Sequence, residues 1–521
     1  LLLARGLRVR RTAAVAGALT FMFSDGFFVH FGNLNYNAVM SWLPWVFWAY
    51  TANQRSGPQT AGQTNAGNIR EALMRALPAA IVAGPLLAVG TLAGHVQATI
   101  FIGLALVIYS AVWAWQHRDA AVAWLPDGQA LLSLAFCFLL CGLLAAPILL
   151  PALELMPYTT RASWNYQQTA GYSLAPAQWI GWLIPAFFGR GPQFHWGVWP
   201  RVEVGYVGIW PWVGLALGSF VLALGIYAIP HGWLTLAPGF GQLRAPARLT
   251  LVTSFALAVL AGLGLDALLR PLEDRAAIIF EQVWRGIGRA AAAVWAIAVP
   301  LAYLALLLTQ DREPAIVLRV SLTLAAVMTF AGLLAASFLW LTARRGAWAQ
   351  PLTLGWLAIG LIYGDLASLA AYQDVGNHDP SLSYHQEAIV SFLQGQPGPF
   401  RIDTKTAIER EWQPDTALLY GLEDVDGIAN PSALADAARY WNGLASRSSP
   451  LYDLLNTRYV IAHKDAPFDW NKFVLAFDGD PRLNVYENKH VLPRACLATQ
   501  VQAVADHEAA WSAIHAADFD P

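Results

Sequence analysis

The first 372 residues contain no lysine, and charged side chains of any kind make up only 13% of the 521-residue chain. A chain so poor in charge is not a solvated, disordered one, and with a net charge of −2 it lacks the basic face that nucleic-acid binders present. Three cysteines cannot build a disulfide framework: Cys137 and Cys141 lie four apart on one helix face as small apolar residues, and Cys496 stands alone. There is no glycine-rich phosphate loop, no zinc-ligand spacing and no nucleophile elbow. No metal site is expected, and the cofactor is unassigned, since a divalent cation is compatible with the chain but nothing indicates one. LLLARGLRVRR opens without methionine and leads to no small-residue cleavage site before a soluble domain, so the start reads as internal to a longer protein.

What is abundant is apolar. Hydrophobic residues reach 56%, tryptophan alone numbers 23, and the mean hydropathy is +0.43, the composition of a multi-spanning membrane protein. Charge divides along the chain: residues 1–372 carry 21 arginines against 13 acids, whereas residues 373–521 carry 11 basic and 21 acidic side chains. The two parts are +8 and −10, which predicts a membrane domain over 1–372 followed by an acidic, water-exposed domain over 373–521.

Apolar stretches of spanning length fall near 12–30, 36–52, 76–94, 97–115, 129–153, 206–229, 249–269, 290–309, 315–343 and 351–372, giving about ten helices. Arginines collect on the cytoplasmic side. Arg5, Arg8, Arg10 and Arg11 therefore set the start inside, and so do Arg55, Arg70 and Arg75 for the second loop, which leaves His95 outside. Counted back from Arg344 and Arg345, and from Arg270, Arg275, Arg285 and Arg289, the acidic domain after Tyr372 is outside as well. The two counts disagree over Arg244, and a re-entrant hairpin bending near Gly218 and Ser219 reconciles them.

The outer loop, 154–205, is rich in Trp, Tyr, Gly and Pro, and its part 175–188, APAQWIGWLIPAFF, reads as a helix lying in the interface. After Tyr372 the pattern becomes mixed α/β. SLSYHQEAIVSFLQ and HEAAWSAIHAA have helical spacing with Ser381 and Asp506 as N-caps, and PFRIDT, TRYVIAH, KFVLAF and RLNVYE read as strands.

Residues 238–266, PGFGQLRAPARLTLVTSFALAVLAGLGLD, place Arg244 and Arg248 at the mouth of a spanning helix, where cations either snorkel to headgroups or hold an anionic ligand. On the predicted topology several polar residues converge at that outer boundary: Asp25, His30, His95, Gln97, Glu154, Arg161, Arg244 and Arg248. Arginine forks match phosphate oxygens bidentately, and a carboxylate can take a proton from an acceptor hydroxyl. Arg161, Arg244, Arg248 and Gln97 are thus candidate ligands of a lipid-linked phosphate, and Glu154, Asp25 and His95 are candidates for the catalytic base or its neighbourhood. His95 has a second role open to it, as a cap or turn residue at a tight helix corner, and Asp25 can be simply the N-terminal charge of a short helix starting in SDGFF.

LAGHVQATIF, LPALELMPYTTR with YSLAP and LIPAFFG, EVGYVGIWP, LRAPARLTL with LAGLGLDAL, and in the tail LLNTRYVIA and NVYENKHVLPRA resemble, in order and through nearly the whole chain, the YfhO-like bacterial membrane proteins. The resemblance implies a polytopic GT-C glycosyltransferase fold, a polyprenyl-phosphate-linked sugar as donor, and an acceptor among cell-envelope polymers such as teichoic acids. The family's catalytic acid is usually in a first outer loop that precedes the residues present here, the region between YVG and RAPAR is compressed here, and the tail stops at DFDP, so the chain reads as a piece lacking both ends. Two other readings compete: a transporter or flippase of lipid-linked precursors, which would favour paired repeats that the sequence does not show, and a structural membrane protein whose outer domain binds an envelope partner.

Overall fold

A computed structural model describes residues 8–54, 69–116, 124–185, 187–189, 195–196, 243, 245–370, 379, 381–428, 433–497, 501–516, 519 and 521. The expected span 206–229 with its bend at Gly218 and Ser219, and Arg244, lie outside these. The chain forms two compact units. One comprises Leu1–Glu154 and Trp164–Asp374, the other Leu155–Ser163 and Val375–Pro521.

In the first unit the helices run α1 (Arg11–Met22), α2 (Asp25–Val29), α3 (Leu34–Ser41), α4 (Leu43–Gln54), α5 (Ile69–Leu92), α6 (Val96–Gln116), α7 (Trp124–Leu155), α8 (Tyr166–Thr169), α9 (Thr250–Leu269), α10 (Asp274–Thr309), α11 (Pro314–Arg345) and α12 (Pro351–Ala370). Among the described residues six segments are long and apolar enough to cross a membrane, with shorter apolar helices at Ala76–Leu92 and Pro351–Ala367. The fold is therefore a polytopic helix bundle, as composition implies.

Two predicted spans are broken rather than continuous. In the first, Ser24 takes extended backbone between α1 and α2, and Asp25 places a carboxylate in the first turn of α2, where the helix dipole favours negative charge. In the second, Trp42 separates α3 from α4, with Pro44 tolerated in the opening turn of α4. The predicted interfacial helix at 175–188 is shorter and tighter, a 3₁₀ helix at Pro176–Trp182. The Gln178 side chain accepts the Ala175 amide at 2.8 Å, and Trp182 is buried while Trp179, Ile180 and Leu183 are exposed. Pro185, with no N–H to donate, follows where the α-helix was expected to continue.

Helix α9 organises this unit. Its Leu251, Val252, Phe255 and Ala258 belong to one apolar core with α3 to α6, and its Leu257, Leu265 and Leu269 belong to a second core with α1, α11 and α12. Accordingly 61% of its apolar window is buried, against 11% for α10 and 17% for α11, which form a peripheral antiparallel pair. Close approach of α1 to α9 requires glycine: a Cβ on Gly17 would sit 2.8 Å from the Ala258 carbonyl oxygen, and one on Gly262 3.0 Å from that of Ala13. At the far end of α9 the buried Asp266 accepts the Arg10 amide at 2.9 Å and pairs with Arg270 at 2.5 Å, tying the start of α1 to the end of α9.

The second unit continues the count with α13 (Glu387–Gln394), β1 (Arg401–Asp403), α14 (Thr416–Leu419), β2 (Glu423–Asp424), α15 (Ala435–Gly443), α16 (Pro450–Asp453), β3 (Thr457–His463), β4 (Phe473–Phe477), β5 (Leu483–Asn488) and α17 (His507–Ile514). Its sheet has the order β2-β1-β3-β5-β4, parallel over β2-β1-β3 and antiparallel over β3-β5-β4. Strand alternation buries both faces: Tyr459, Ile461, Leu483 and Val485 enter one core, Val460, Ala462 and Tyr486 the other. The four predicted strands are present, and Asp506 caps α17 by accepting the Ala509 amide at 2.8 Å. Ser381 instead precedes a 3₁₀ turn, Leu382–Tyr384, and its hydroxyl bonds Asp379.

Candidate anion site

Three separate segments bring polar groups together at the start of α9. Gly94, at φ +92, lets α5 end and the chain reverse into α6, which sets His95 in the corner and Gln97 in the first turn of α6. Ala245, left-handed at φ 60, turns the chain into the 3₁₀ helix Pro246–Leu249 that carries Arg248. Asn33 accepts the Tyr36 amide at 3.2 Å and so opens α3, from which Tyr36 projects into the cluster.

The half-buried Arg248 donates from Nη1 to Gln97 Oε1 at 3.3 Å, and the same nitrogen lies 3.5 Å from His95 Nε2. His95 Nδ1 accepts the Ala98 amide at 3.2 Å, the capping role open to it from sequence. A neutral imidazole that accepts at Nδ1 carries its proton at Nε2. The contact with Arg248 is then donor facing donor, so two N–H groups converge on one place. Arg248 Nε is also shielded from water, without a hydrogen-bond partner among the described residues. A guanidinium so placed suits an oxyanion, which supplies several acceptors.

Tyr36, fully buried, holds the cluster together. Its hydroxyl donates to the Arg248 carbonyl at 2.8 Å, and the Arg248 guanidinium carbon lies 5.7 Å from its ring centre. The rings of His30 and His95 lie 4.5 and 5.2 Å from it. His30 Nδ1 donates to the Gly26 carbonyl at 2.8 Å, and Asn37 Nδ2 donates to the carbonyls of Phe27 and His30, fixing α2 against α3. Beside Tyr36, Asn37 also lines an apolar cavity of about 520 Å³ that runs between α1 and α9, past Phe27, Phe255 and Gly262, towards Val9.

The structure thus brings His95, Gln97 and Arg248 together, with His30 linked through Tyr36. Asp25 is fully buried in the same short helix that ends at His30. Glu154 is exposed in the last turn of α7, and Arg161 belongs to the second unit, in the 3₁₀ helix Thr160–Ser163 beside the Thr159 to Leu434 bridge. Arg244 lies outside the described residues. Among the described residues no group of three or more His, Cys, Asp or Glu side chains is placed to hold a metal ion. Sequence reasoning missed Tyr36; the one available signal was a phenol inside the polar run NLNYN at the edge of an apolar segment.

No protein-family model matches the chain, and no curated protein does. The crystal structure of ArnT from Cupriavidus metallidurans bound to undecaprenyl phosphate is similar at 14% identity, over 93% of this chain and 84% of that one, with a TM-score of 0.34, a likeness too slight to carry an argument.

Proposed function

We propose that this is an integral-membrane glycosyltransferase of GT-C type, in which Arg248 with His95 and Gln97 holds the phosphate of a polyprenyl-phosphate-linked sugar. The sugar would pass to a cell-envelope polymer outside the cytoplasm, with the acidic second unit on that same side. The observation that supports this most is the convergence of the Arg248 guanidinium, His95 Nε2 and Gln97 at the mouth of α9. The apolar cavity beside Asn37 gives the carrier's chain a path along α1 and α9.

The same geometry sorts the candidate bases. His95 has committed Nδ1 to the Ala98 amide and presents a proton at Nε2, so in its neutral form it donates and does not accept. Glu154 is exposed at the end of α7, whereas Asp25 is buried on the helix that carries His30. Asp25 is therefore the carboxylate proposed to take the acceptor's hydroxyl proton while that oxygen bonds to the anomeric carbon and the carbon–phosphate oxygen bond breaks, leaving polyprenyl phosphate with the electron pair. Arg161 and Arg244 remain proposed phosphate ligands.

The test is binding of undecaprenyl phosphate to the detergent-solubilised protein. Charge-assisted hydrogen bonds contribute about 1.5–3 kcal/mol each, so Arg248→Gln should weaken binding by about tenfold to a hundredfold. Arg248→Lys should recover part of it, since lysine keeps the charge but not the fork. Equal affinity in all three proteins would sink the phosphate assignment, and movement of labelled lipid across vesicles without sugar transfer would favour the flippase reading.

A further inference from the structure

We infer that Tyr36 is a positioning residue, which holds the strained turn at Ala245–Leu249 so that Arg248 meets its anion in one pose; the affinity part of the inference rests on the phosphate reading above. Ala245 is left-handed at φ 60, a conformation that alanine rarely adopts and that persists only where surrounding contacts over-determine it. The turn it starts is short, Pro246–Leu249, and its backbone ties outside the turn include a long 3.4 Å bond from the Ala247 amide to the Tyr172 carbonyl. A shorter external tie is the 2.8 Å bond from the Tyr36 hydroxyl to the Arg248 carbonyl, made by a side chain with no exposed surface.

The rest of Tyr36 is equally constrained. Its ring packs against those of His30 and His95, and its face lies within cation–π reach of the Arg248 guanidinium. The hydroxyl fixes the arginine's backbone while the ring limits where the guanidinium can swing. Tyr36 touches no reacting atom in this arrangement and acts through Arg248.

Tyr36→Phe removes the hydroxyl and keeps the ring. Tyr50→Phe is the control, because the Tyr50 hydroxyl makes a comparable buried bond, 2.8 Å to Ser110, away from the cluster. Two measurements separate the outcomes. The first is phenylglyoxal modification of Arg248 in the intact protein, followed by peptide mass spectrometry, which needs no ligand. It should be several-fold faster in Tyr36→Phe than in wild type or Tyr50→Phe. The second is affinity for undecaprenyl phosphate, which should fall by about tenfold in Tyr36→Phe alone, the effect of freeing one well-placed donor. If the two variants behave alike, or Arg248 reactivity does not change in Tyr36→Phe, the positioning role is overturned. If wild type binds no undecaprenyl phosphate while Arg248 reactivity still rises in Tyr36→Phe, the positioning role stands and the phosphate reading falls.

Discussion

Asp424→Asn should stabilise the second unit at alkaline pH and leave it nearly unchanged only in acid below 3.8. Asp424, at the end of β2, is pushed up from 3.8 to about 6, chiefly by burial and further by the nearby Asp403, against the opposing hydrogen bonds of the Thr404 hydroxyl and the Asp426 and Thr404 amides. Those bonds measure 2.5 Å from Thr404 Oγ1, 3.0 Å from the Asp426 amide and 3.3 Å from the Thr404 amide. Between 3.8 and about 6 the folded protein keeps a proton that the unfolded chain has lost. The carboxyl's contribution is therefore fully favourable below 3.8 and is lost as the pH rises through about 6. A shift of about two units at 1.36 kcal/mol each means that ionised Asp424 costs about 3 kcal/mol at pH 8. Asparagine carries no charge, keeps one oxygen for the two amides and turns its NH₂ towards the Thr404 hydroxyl, so a gain of about 1–3 kcal/mol is expected. Hydrogen exchange of the Val425 amide, which donates to the Ile402 carbonyl at 3.0 Å, reports on this strand pair in the intact protein. After correction for intrinsic rates, protection should rise in the variant at pH 8, by about half as much in free energy at pH 5, and should match wild type only below 3.8. Parallel pH profiles for the two proteins, or a less protected variant at pH 8, would refute the reasoning.

Arg447→Met should cost the second unit about 3–5 kcal/mol in thermal or chemical unfolding, since it strips a 2.7 Å ion pair from Asp403, a carboxylate with no exposed surface. Replacing Asp403 with asparagine in the same protein should recover part of that loss, and no recovery would show that Arg447 matters by packing on Trp441 instead. Gly17→Val should cost about 1–3 kcal/mol by forcing α1 from α9, whereas Gly142→Ala, where an added methyl meets nothing within 4 Å, should be neutral or slightly stabilising. Comparable unfolding midpoints for both glycine variants would contradict the close α1 to α9 contact.

Long-range pairing marks the boundary of what the sequence reveals. The spans are legible because twenty apolar residues in a row admit few other fates, and the Ser24 break is visible in SDG once helix N-terminal preferences are applied. His95 and Gln97 were placed beside Arg248 by topology alone, and the structure gives the contact. Tyr36 could not be found that way, because the carbonyl it bonds lies 212 positions away and a backbone acceptor leaves no trace in side-chain identity. Arg161 shows the converse. It follows Glu154 closely and reads as one of the outer polar residues, yet the chain passes from one unit to the other between the two. The two-residue strand β2 was too short to carry any alternation, though it completes the sheet's parallel half.

The unequal lengths of neighbouring helices bear on how the protein sits in its bilayer. Helix α10 has 36 residues, about 54 Å, whereas α9 has 20, about 30 Å, the thickness of a typical hydrocarbon core. Tilt alone would need about 56° to hide α10 completely, outside the roughly 0–40° that membrane helices adopt. Its first turns, where Glu281 pairs with Arg345 and Arg285, must therefore stand in water or headgroups. A thicker membrane is met on α10 by submerging another turn. On α9 there is no such slack, since Arg248 closes one end and the Asp266 pair with Arg270 closes the other. Bilayer thickness is thus gauged by α9, and a mismatched membrane would pull directly on the turn that presents Arg248.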